Sequence, residues 1–444
     1  MPLLRGLRLL AFDEREEALV NGPVRGTPHA SSKAAVLDVI RAAGTISRVG
    51  LVNATGLTGA TISTAVRKLL DEGLVAETGH AESTGGKRRV LLQLNATSRF
   101  ALGVHLDHSG ITYVLTDLAG GVVARIIKPG AGTREPAEVV ARMAADTATL
   151  IASVGVEHDR VLGIGLVSPG PLGASTATAL APPAMRRWAG YPVDRELAAA
   201  AGLPVVVDND ATAAALGEHW SRGMGSASTS AALYMGTGIG AGLVIGGITY
   251  RGTSGNAGEI GHVCLDVDGP PCWCGARGCV EVLAGPEAVV TAAQADRALA
   301  ERIGLTGDRS RSSPAADFAA VSRAARRGDP EATALLERSA RYIAVAARTL
   351  ANVMDVEFVV LTGPSFAIAG SVYLPVVREE LGRSFFARGV HPVDVRLSHT
   401  AATAPAIGAA AMVLQSELVP LHAPQRLPEN LAAAEPELTV VPGP

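Results

Sequence analysis

The stretch Gly258-Glu259-Ile260-Gly261-His262, followed by Cys272-Trp273-Cys274-Gly275-Ala276-Arg277-Gly278-Cys279-Val280-Glu281, decides how the rest of the chain is read. It holds three of the four cysteines, and Cys264 lies just inside it. The spacing His-x9-Cys-x-Cys-x4-Cys offers one imidazole and three thiolates from His262, Cys272, Cys274 and Cys279. Four such ligands with no open position make a closed tetrahedral Zn²⁺ site. That is structural rather than hydrolytic, because a hydrolytic zinc keeps a position for water. Cys264 is an alternative for one ligand; otherwise it reads as a small core residue. Glu259 and Glu281 frame the segment, so the metal pins the loop that carries them. A ligating histidine can turn its second ring nitrogen to a hydroxyl or a carboxylate.

At 444 residues the chain has room for two or three domains, and 48% apolar content fills a sizeable core. A net charge of −3 excludes a globally basic nucleic-acid coat but leaves room for a local basic face. No run of about 18 apolar residues is present, so no membrane partner is expected. The apolar cluster Leu7 to Phe12 is broken by charge and followed by acids, unlike a signal peptide. Clustered thiols with metal spacing and no signal point to a reducing cytoplasm.

From residue 96 onward strands alternate with helices. Residues 101–107 and 111–117 read as a strand pair, 136–154 as a helix and 161–167 as a buried strand. A strand over 205–208 runs into a helix at 211–219. Strands at 231–234 and 242–245 bracket a glycine turn, and a long helix over 330–352 precedes a strand at 358–361. Such alternation means an α/β fold. Residues 305–315 read as a loop, 1–28 as a poorly ordered arm and 422–444 as a disordered tail rich in Pro, Glu and Ala.

Residues 29–95 form a unit of their own. Helices are expected over Ser32 to Ala42 and Ile46 to Ala54, the second ended by Gly56. Thr58 caps a third through Leu70, whose buried stripe is Ile62, Val66 and Leu69. A hairpin follows from Gly73, with the tip Ser83-Thr84-Gly85-Gly86-Lys87-Arg88-Arg89. Helix–turn–helix plus a basic-tipped hairpin is a winged helix-turn-helix. Thr58, Thr61, Ser63, Thr64 and Arg67 are placed to approach base edges in the major groove. Lys87, Arg88 and Arg89 suit phosphates, the source of affinity and salt sensitivity. Residues 31–94 carry eight Lys/Arg against five Asp/Glu, a surplus of three. A helical protein-interaction domain is the alternative; the basic tip favours DNA.

Asp208-Asn209-Asp210 ends a strand at a helix N-terminus. An amide beside a carboxylate binds adjacent sugar hydroxyls, and in a kinase the carboxylate takes the hydroxyl proton as phosphate is attacked. The plainer reading of Asp210 is a helix cap. Gly236-Thr237-Gly238-Ile239-Gly240-Ala241-Gly242 can cradle phosphate with backbone N–H groups, with Gly236, Thr237 and Gly238 as the contacts. The alternative is a tight β-turn.

Over about 31 to 420 these residues resemble the repressor, open reading frame and sugar kinase family, the ROK family. The best matches are the 255–281 segment, Asn209-Asp210 with Ala211 to Glu218, and Gly236 to Gly242. The attached winged helix is similar to the regulator branch, whose members respond to xylose, N-acetylglucosamine or glucose. The resemblance implies an actin-like, hexokinase-like two-lobed domain over 96–421 with sugar in the cleft. It implies sugar contacts at Asn209, Asp210, Glu259, His262 and Glu281, with Asp210 as catalytic base if the chain is an active kinase. It also implies zinc on the four ligands above, and a homodimer or homotetramer.

Three departures bear on chemistry. Family kinases open with Asp-x-Gly-Gly-Thr for ATP phosphates, where this chain has Asp107-His108-Ser109-Gly110-Ile111-Thr112. They carry a glycine-rich turn near the adenosine, where this chain has Leu361-Thr362-Gly363-Pro364-Ser365, and Pro364 lacks a backbone donor. Both argue against ATP. The loop Ala181-Pro182-Pro183-Ala184-Met185-Arg186-Arg187-Trp188 lacks the Asn that often binds a sugar hydroxyl; Arg186 and Arg187 either meet an acidic ligand group or are solvated. The expectation is a non-enzymatic, sugar-responsive regulator, a repressor that binds operator DNA at an inverted repeat. The alternatives are an ATP-dependent sugar kinase with an attached DNA-binding unit, and a regulator answering to a protein partner.

Overall fold

The computed structural model describes residues 28–80, 89–170, 183–222, 229–253, 255–305 and 313–418, and three sheets organise these described residues. The expected arm except Pro28, Lys87 and Arg88 of the hairpin tip, Ala181 and Pro182, residues 306–312 of the expected loop, and the tail 422–444 lie outside the described residues.

The N-terminal unit runs α1 (Pro28–Ala43), β1 (Thr45–Ser47), α2 (Arg48–Thr55), α3 (Gly59–Asp71), β2 (Val75–His80) and β3 (Val90–Leu94), with strand order β1-β3-β2. The first lobe holds β4 (Phe100–Leu106), β5 (Gly110–Asp117), β6 (Val122–Pro129), α4 (Pro136–Ser153), β7 (Val161–Ser168), α5 (Val193–Ala201) and β8 (Val205–Asn209), in the order β6-β5-β4-β7-β8. Helix α6 (Asp210–Arg222) crosses to the second lobe. That lobe holds β9 (Thr229–Met235), β10 (Ile239–Ile245), β11 (Ile248–Tyr250), α7 (Val280–Ala284), α8 (Pro286–Ala295), α9 (Arg297–Ile303), α10 (Pro314–Arg326), α11 (Pro330–Met354), β12 (Phe358–Thr362), α12 (Pro364–Ser384) and β13 (Asp394–Leu397). Its sheet has the order β11-β10-β9-β12-β13, and α13 (Ala404–Leu418) returns to the lobe junction. Each lobe pairs three antiparallel strands and then adds two in parallel. This repeat is the two-lobed α/β arrangement expected of an actin-like domain.

Two local readings need correction. The helix expected over Ile46 to Ala54 is instead β1 followed by α2. Thr45 and Ile46 are β-branched and pair with Gln93 and Leu92 of β3. Ser47 stays extended so that its Oγ accepts from the N–H of Gly50 at 3.1 Å, which starts α2 one residue later. Gly56 ends α2 in the left-handed conformation (φ 68°), as expected. The second correction concerns the glycine run. Only 236–238 form the turn; Gly240 and Gly242 lie within β10, because α6 presses against that strand. A Cβ on Gly242 would overlap the Ala211 carbonyl.

The lobe junction is built from α6 crossing α13, and both are rich in Ala and Gly. A Cβ on Gly408 would overlap the carbonyl oxygen of Ala213, and one on Gly217 that of Ala404. Gly103 of β4 and Gly165 of β7 meet the carbonyls of Ala406 and Ala409 in the same way. These are backbone contacts, so no rotamer change relieves them. Gly165→Ala is expected to cost about 1–3 kcal/mol. Gly59→Ala, with nothing within 4 Å of the added methyl, is expected to change stability by less than about 1 kcal/mol. Equal thermal melts for the two variants would refute the close-packing account. Glu218, buried in α6, accepts from Thr362 Oγ1 at 3.0 Å and from Ser398 Oγ, which fixes the helix to the second lobe.

The N-terminal unit is not tethered loosely. Val36, Leu37 and Ile40 of α1 share one apolar core with Ala101, Ala410, Val413 and Leu414. The Arg41 guanidinium lies 4.1 Å from the ring centroid of Trp220 at the end of α6.

Candidate ligand site and metal centre

The end of β8 delivers Asp208, Asn209 and Asp210 to the lobe junction. Asn209 Oδ1 accepts from the N–H groups of Ala211 (2.8 Å) and Thr212 (3.1 Å), so Asn209 caps α6 and its amide nitrogen is left for other partners. Asp210 Oδ1 also accepts from Ala211 N–H at 2.8 Å, and its Oδ2 lies 3.4 Å from Nε2 of His105. Both side chains are buried, and that imidazole nitrogen has no hydrogen-bond partner among the described residues. His105 escaped the sequence reading; its only signal was a lone histidine in an otherwise apolar strand.

Asp208 accepts from Arg251 Nε at 2.7 Å, which draws the segment after β11 over the site. Gly258 then turns at φ 93°, and its carbonyl accepts from Ala241 N–H of β10 at 2.8 Å. A side chain there would overlap the Ala241 carbonyl, so the glycine sets the position of Glu259. The Glu259 carboxyl is pushed up to about 7, first by loss of water around it, then by the negative charges of Asp210 and Glu281. The residue as a whole remains exposed. Asp210, Glu259 and Glu281 therefore form one acidic cluster, suited to accepting hydrogen bonds from ligand hydroxyls.

The donor atoms of His262, Cys272, Cys274 and Cys279 all lie within 4.8 Å of one another. His262 Nδ1 is 3.6 Å from Cys272 Sγ, and the sulfurs of Cys274 and Cys279 are 3.8 Å apart. A tetrahedral ion with metal–sulfur bonds of about 2.3 Å and metal–nitrogen bonds of about 2.0 Å has a nitrogen–sulfur edge of about 3.5 Å and a sulfur–sulfur edge of about 3.8 Å. The four residues can therefore hold a metal ion, and the set is compatible with Zn²⁺. Since Nδ1 faces the sulfurs, Nε2 of His262 is the nitrogen that remains. Burial pushes the Cys279 thiol up to about 12, helped by the neighbouring sulfurs; a cation is what holds such a set as thiolates. Cys264 is exposed and outside the cluster, and only its backbone bridges to Cys279.

Trp273, between two of the sulfur donors, was not singled out from sequence. Its ring meets His262 edge-on at 4.8 Å, and its Nε1–H donates to Glu281 Oε1 at 2.7 Å. Glu281 Oε2 accepts from Ile239 N–H at 3.0 Å. The cysteine–histidine cluster, Trp273, the Glu281 carboxylate and the 236–238 turn are thus one chain of contacts. A Cβ on Gly238 would take the space of Glu281 Oε2, so a side chain there would push the carboxylate off its bond to Ile239 N–H.

The turns read as phosphate loops are joined to each other. Thr237 Oγ1 lies 2.9 and 3.1 Å from the two Asp107 oxygens, across the lobes. Asp107 also accepts from His108 N–H at 2.7 Å and Ser109 Oγ at 2.9 Å, while Ser365 Oγ donates to the Gly236 carbonyl at 3.3 Å. Pro364 stands at the first position of α12, where a helix has a spare N–H to lose. It therefore leaves the helix intact and only thins the anion-binding donors. Arg187 pairs with Glu135 at the surface, and Arg186 is exposed.

On α3, Ile62, Ala65, Val66 and Leu69 are buried, while Ser63, Thr64, Arg67 and Lys68 are exposed. The Thr58 hydroxyl is occupied as the helix cap, accepting from Thr61 N–H at 3.2 Å and bonding Thr61 Oγ1 at 2.9 Å. Ser63 Oγ donates to the Gly59 carbonyl at 2.8 Å. Thr64 and Arg67 are thus the outward-facing polar groups of the face read from sequence, with Arg89 exposed at the start of the returning strand.

A family model described as the ROK family matches residues 102–416. A putative xylose repressor of Caldicellulosiruptor sp. (strain Rt8B.4) is 30% identical over 391 residues, 87% of this chain and 96% of that protein. The solved structure of a ROK family transcriptional regulator, a homologue of the E. coli MLC protein, superposes with a TM-score of 0.68 at 24% identity, over 88% of this chain and 97% of that one. A ROK family glucokinase from Streptomyces griseus, solved with glucose and AMPPNP, gives a TM-score of 0.58 at 28% identity and covers 70% of this chain and 98% of its own.

Proposed function

Because the chain belongs to the ROK family, we propose that it is a sugar-responsive DNA-binding repressor. One observation carries this reading: the likeness to the putative xylose repressor runs over 391 residues, so it extends beyond the ROK segment and takes in nearly all of that protein. Residues 29–95 then act as a winged helix-turn-helix. Thr64 and Arg67 of α3 address bases, and Arg89, with Lys87 and Arg88, addresses phosphates. Residues 96–421 form the sugar-binding domain, with Asn209, Asp210, Glu259, Glu281 and Nε2 of His262 around the sugar. The Cys₃His set holds structural Zn²⁺, in keeping with a reducing cytoplasm. A homodimer or homotetramer would present paired α3 helices to an inverted-repeat operator.

A second reading, an ATP-dependent sugar kinase, is favoured by the position of Asp210 and by the glucokinase likeness. The bond between Asp107 and Thr237 opposes it, because those side chains fill one another's acceptor and donor positions where phosphates would lie. Thermal shift of the full chain with D-xylose, D-glucose and N-acetyl-D-glucosamine, each with and without magnesium ATP, separates the two. A ligand at a hundred times its Kd adds about 2.7 kcal/mol to stability. The expected result is a shift with one of these sugars that ATP leaves unchanged. A further shift with ATP, accompanied by turnover that Asp210→Asn abolishes, would establish the kinase instead.

A further inference from the structure

We infer that α6 is the strut through which the sugar site acts on the DNA-reading unit, with Trp220 and Arg41 as the positioning residues at its far end. The inference rests on Asn209 and Asp210 being sugar contacts and adds how that site is read out.

Helix α6 begins at Asp210 and ends at Arg222, 13 residues or about 20 Å. Its first turn is fixed by Asn209 and Asp210. Its last turn is fixed by the N-terminal unit. There Arg41 lies 4.1 Å over the Trp220 ring and is itself held by Asp38 at 2.8 and 3.0 Å. The turn after β5 closes the arrangement, with Gly120 set against the same indole. His219 sits beside this contact with Nδ1 buried and without a partner among the described residues.

Between its ends the helix has little means of absorbing a displacement. Ala213 and Gly217 meet the backbone of α13, Ala214 shares an apolar cluster with Ala404 of that helix, and Ala211 and Ala215 meet β10. Alanine and glycine have no rotamers through which a shift could dissipate. Helix α13 ends under α1 as well, through Ala410, Val413 and Leu414. Helix α1 therefore stands on both helices of the lobe junction, and any change of lobe angle that follows ligand binding reaches α1 directly. Coupling of this kind requires an element with two arrangements that both sites bias. The lobe junction is that element, and the cation–aromatic contact is where the DNA-reading unit feels it.

The test is hydrogen exchange by mass spectrometry on the full chain, with and without saturating D-xylose, in the parent, Trp220→Ala and Arg41→Ala. In the parent, sugar is expected to alter exchange both around 209–216 and in α1 and α3. In both alanine variants the change around 209–216 and a Kd within about twofold of the parent should persist, while the change in α1 and α3 is lost. Arg41→Lys and Trp220→Phe, which keep the cation and the ring, should restore it; a merely structural contact would not give that pattern. An α1 response that survives both alanine substitutions overturns the strut. A ligand-free arm guards against the choice of sugar. Asn209→Ala removes the α6 cap and is expected to speed α1 exchange about fivefold in the parent but not in Trp220→Ala. If Asn209→Ala leaves α1 unchanged in the parent, the strut fails whatever sugar binds. If that arm succeeds and D-xylose alters nothing, the failure lies with xylose as effector.

Discussion

A chain carrying Cys272→Ser and Cys274→Ser is expected to lose its zinc and its sugar affinity together, while the parent holds one Zn²⁺ per chain. Two serines leave His262 and Cys279, too few to hold the ion. Apparent binding energies of structural zinc are about 10–16 kcal/mol in small peptides, comparable with the whole stability of a domain. The ligands adjoin Ile260 and Val280, which belong to the same apolar cluster as Phe318, Phe366 and Tyr373, so a lower melting temperature should accompany the loss of zinc. What fails is the placement of Trp273, and with it the hydrogen bond that orients Glu281 toward the cleft. Elemental analysis beside calorimetric titration with the effector sugar checks this. Zinc at full occupancy in the variant would remove the ligand assignment. Zinc loss with unchanged sugar affinity would keep the assignment and sever the metal from the site. Cys264→Ser, outside the cluster, should retain both.

Asp210→Asn is expected to weaken sugar binding about 10- to 100-fold with little change in folding. A hydrogen bond to a charged group contributes about 1.5–3 kcal/mol, and the amide keeps the shape while losing the charge. The oxygen that accepts from Ala211 N–H is retained, so α6 keeps its first turn. Calorimetry on the variant decides. An unchanged Kd would mean that Asp210 serves the helix terminus and His105 only, and the sugar site would have to be sought nearer Glu259.

The grouping of His262, Cys272, Cys274 and Cys279 was legible because it is local: the four side chains sit within 18 residues of sequence, at a spacing that suits a metal-binding set. The strand pair at β4 and β5, the helix over 136–153 and the sheet strand at β12 were legible because their apolar periods are clean. Helix α13 gave no such signal. It is buried on nearly every face, so its sequence has no polar stripe from which a period could be read. The segment Ile46 to Ser47 misled for a related reason: short apolar runs do not distinguish a strand from the start of a helix, and the deciding partner, β3, lies some 45 residues away. His105 matters through its approach to Asp210, 105 residues along the chain, which one sequence does not display; Trp273 bonds Glu281 only eight residues on, but no motif marks that pairing.

The bond between Asp107 and Thr237 ties a turn of one lobe to a turn of the other. Any group that enters between these turns, a phosphate included, has first to part the two side chains and replace the hydrogen bond that the threonine hydroxyl gives up. The pair is thus a latch at this edge of the lobe junction, and whatever opens the lobes there must break it.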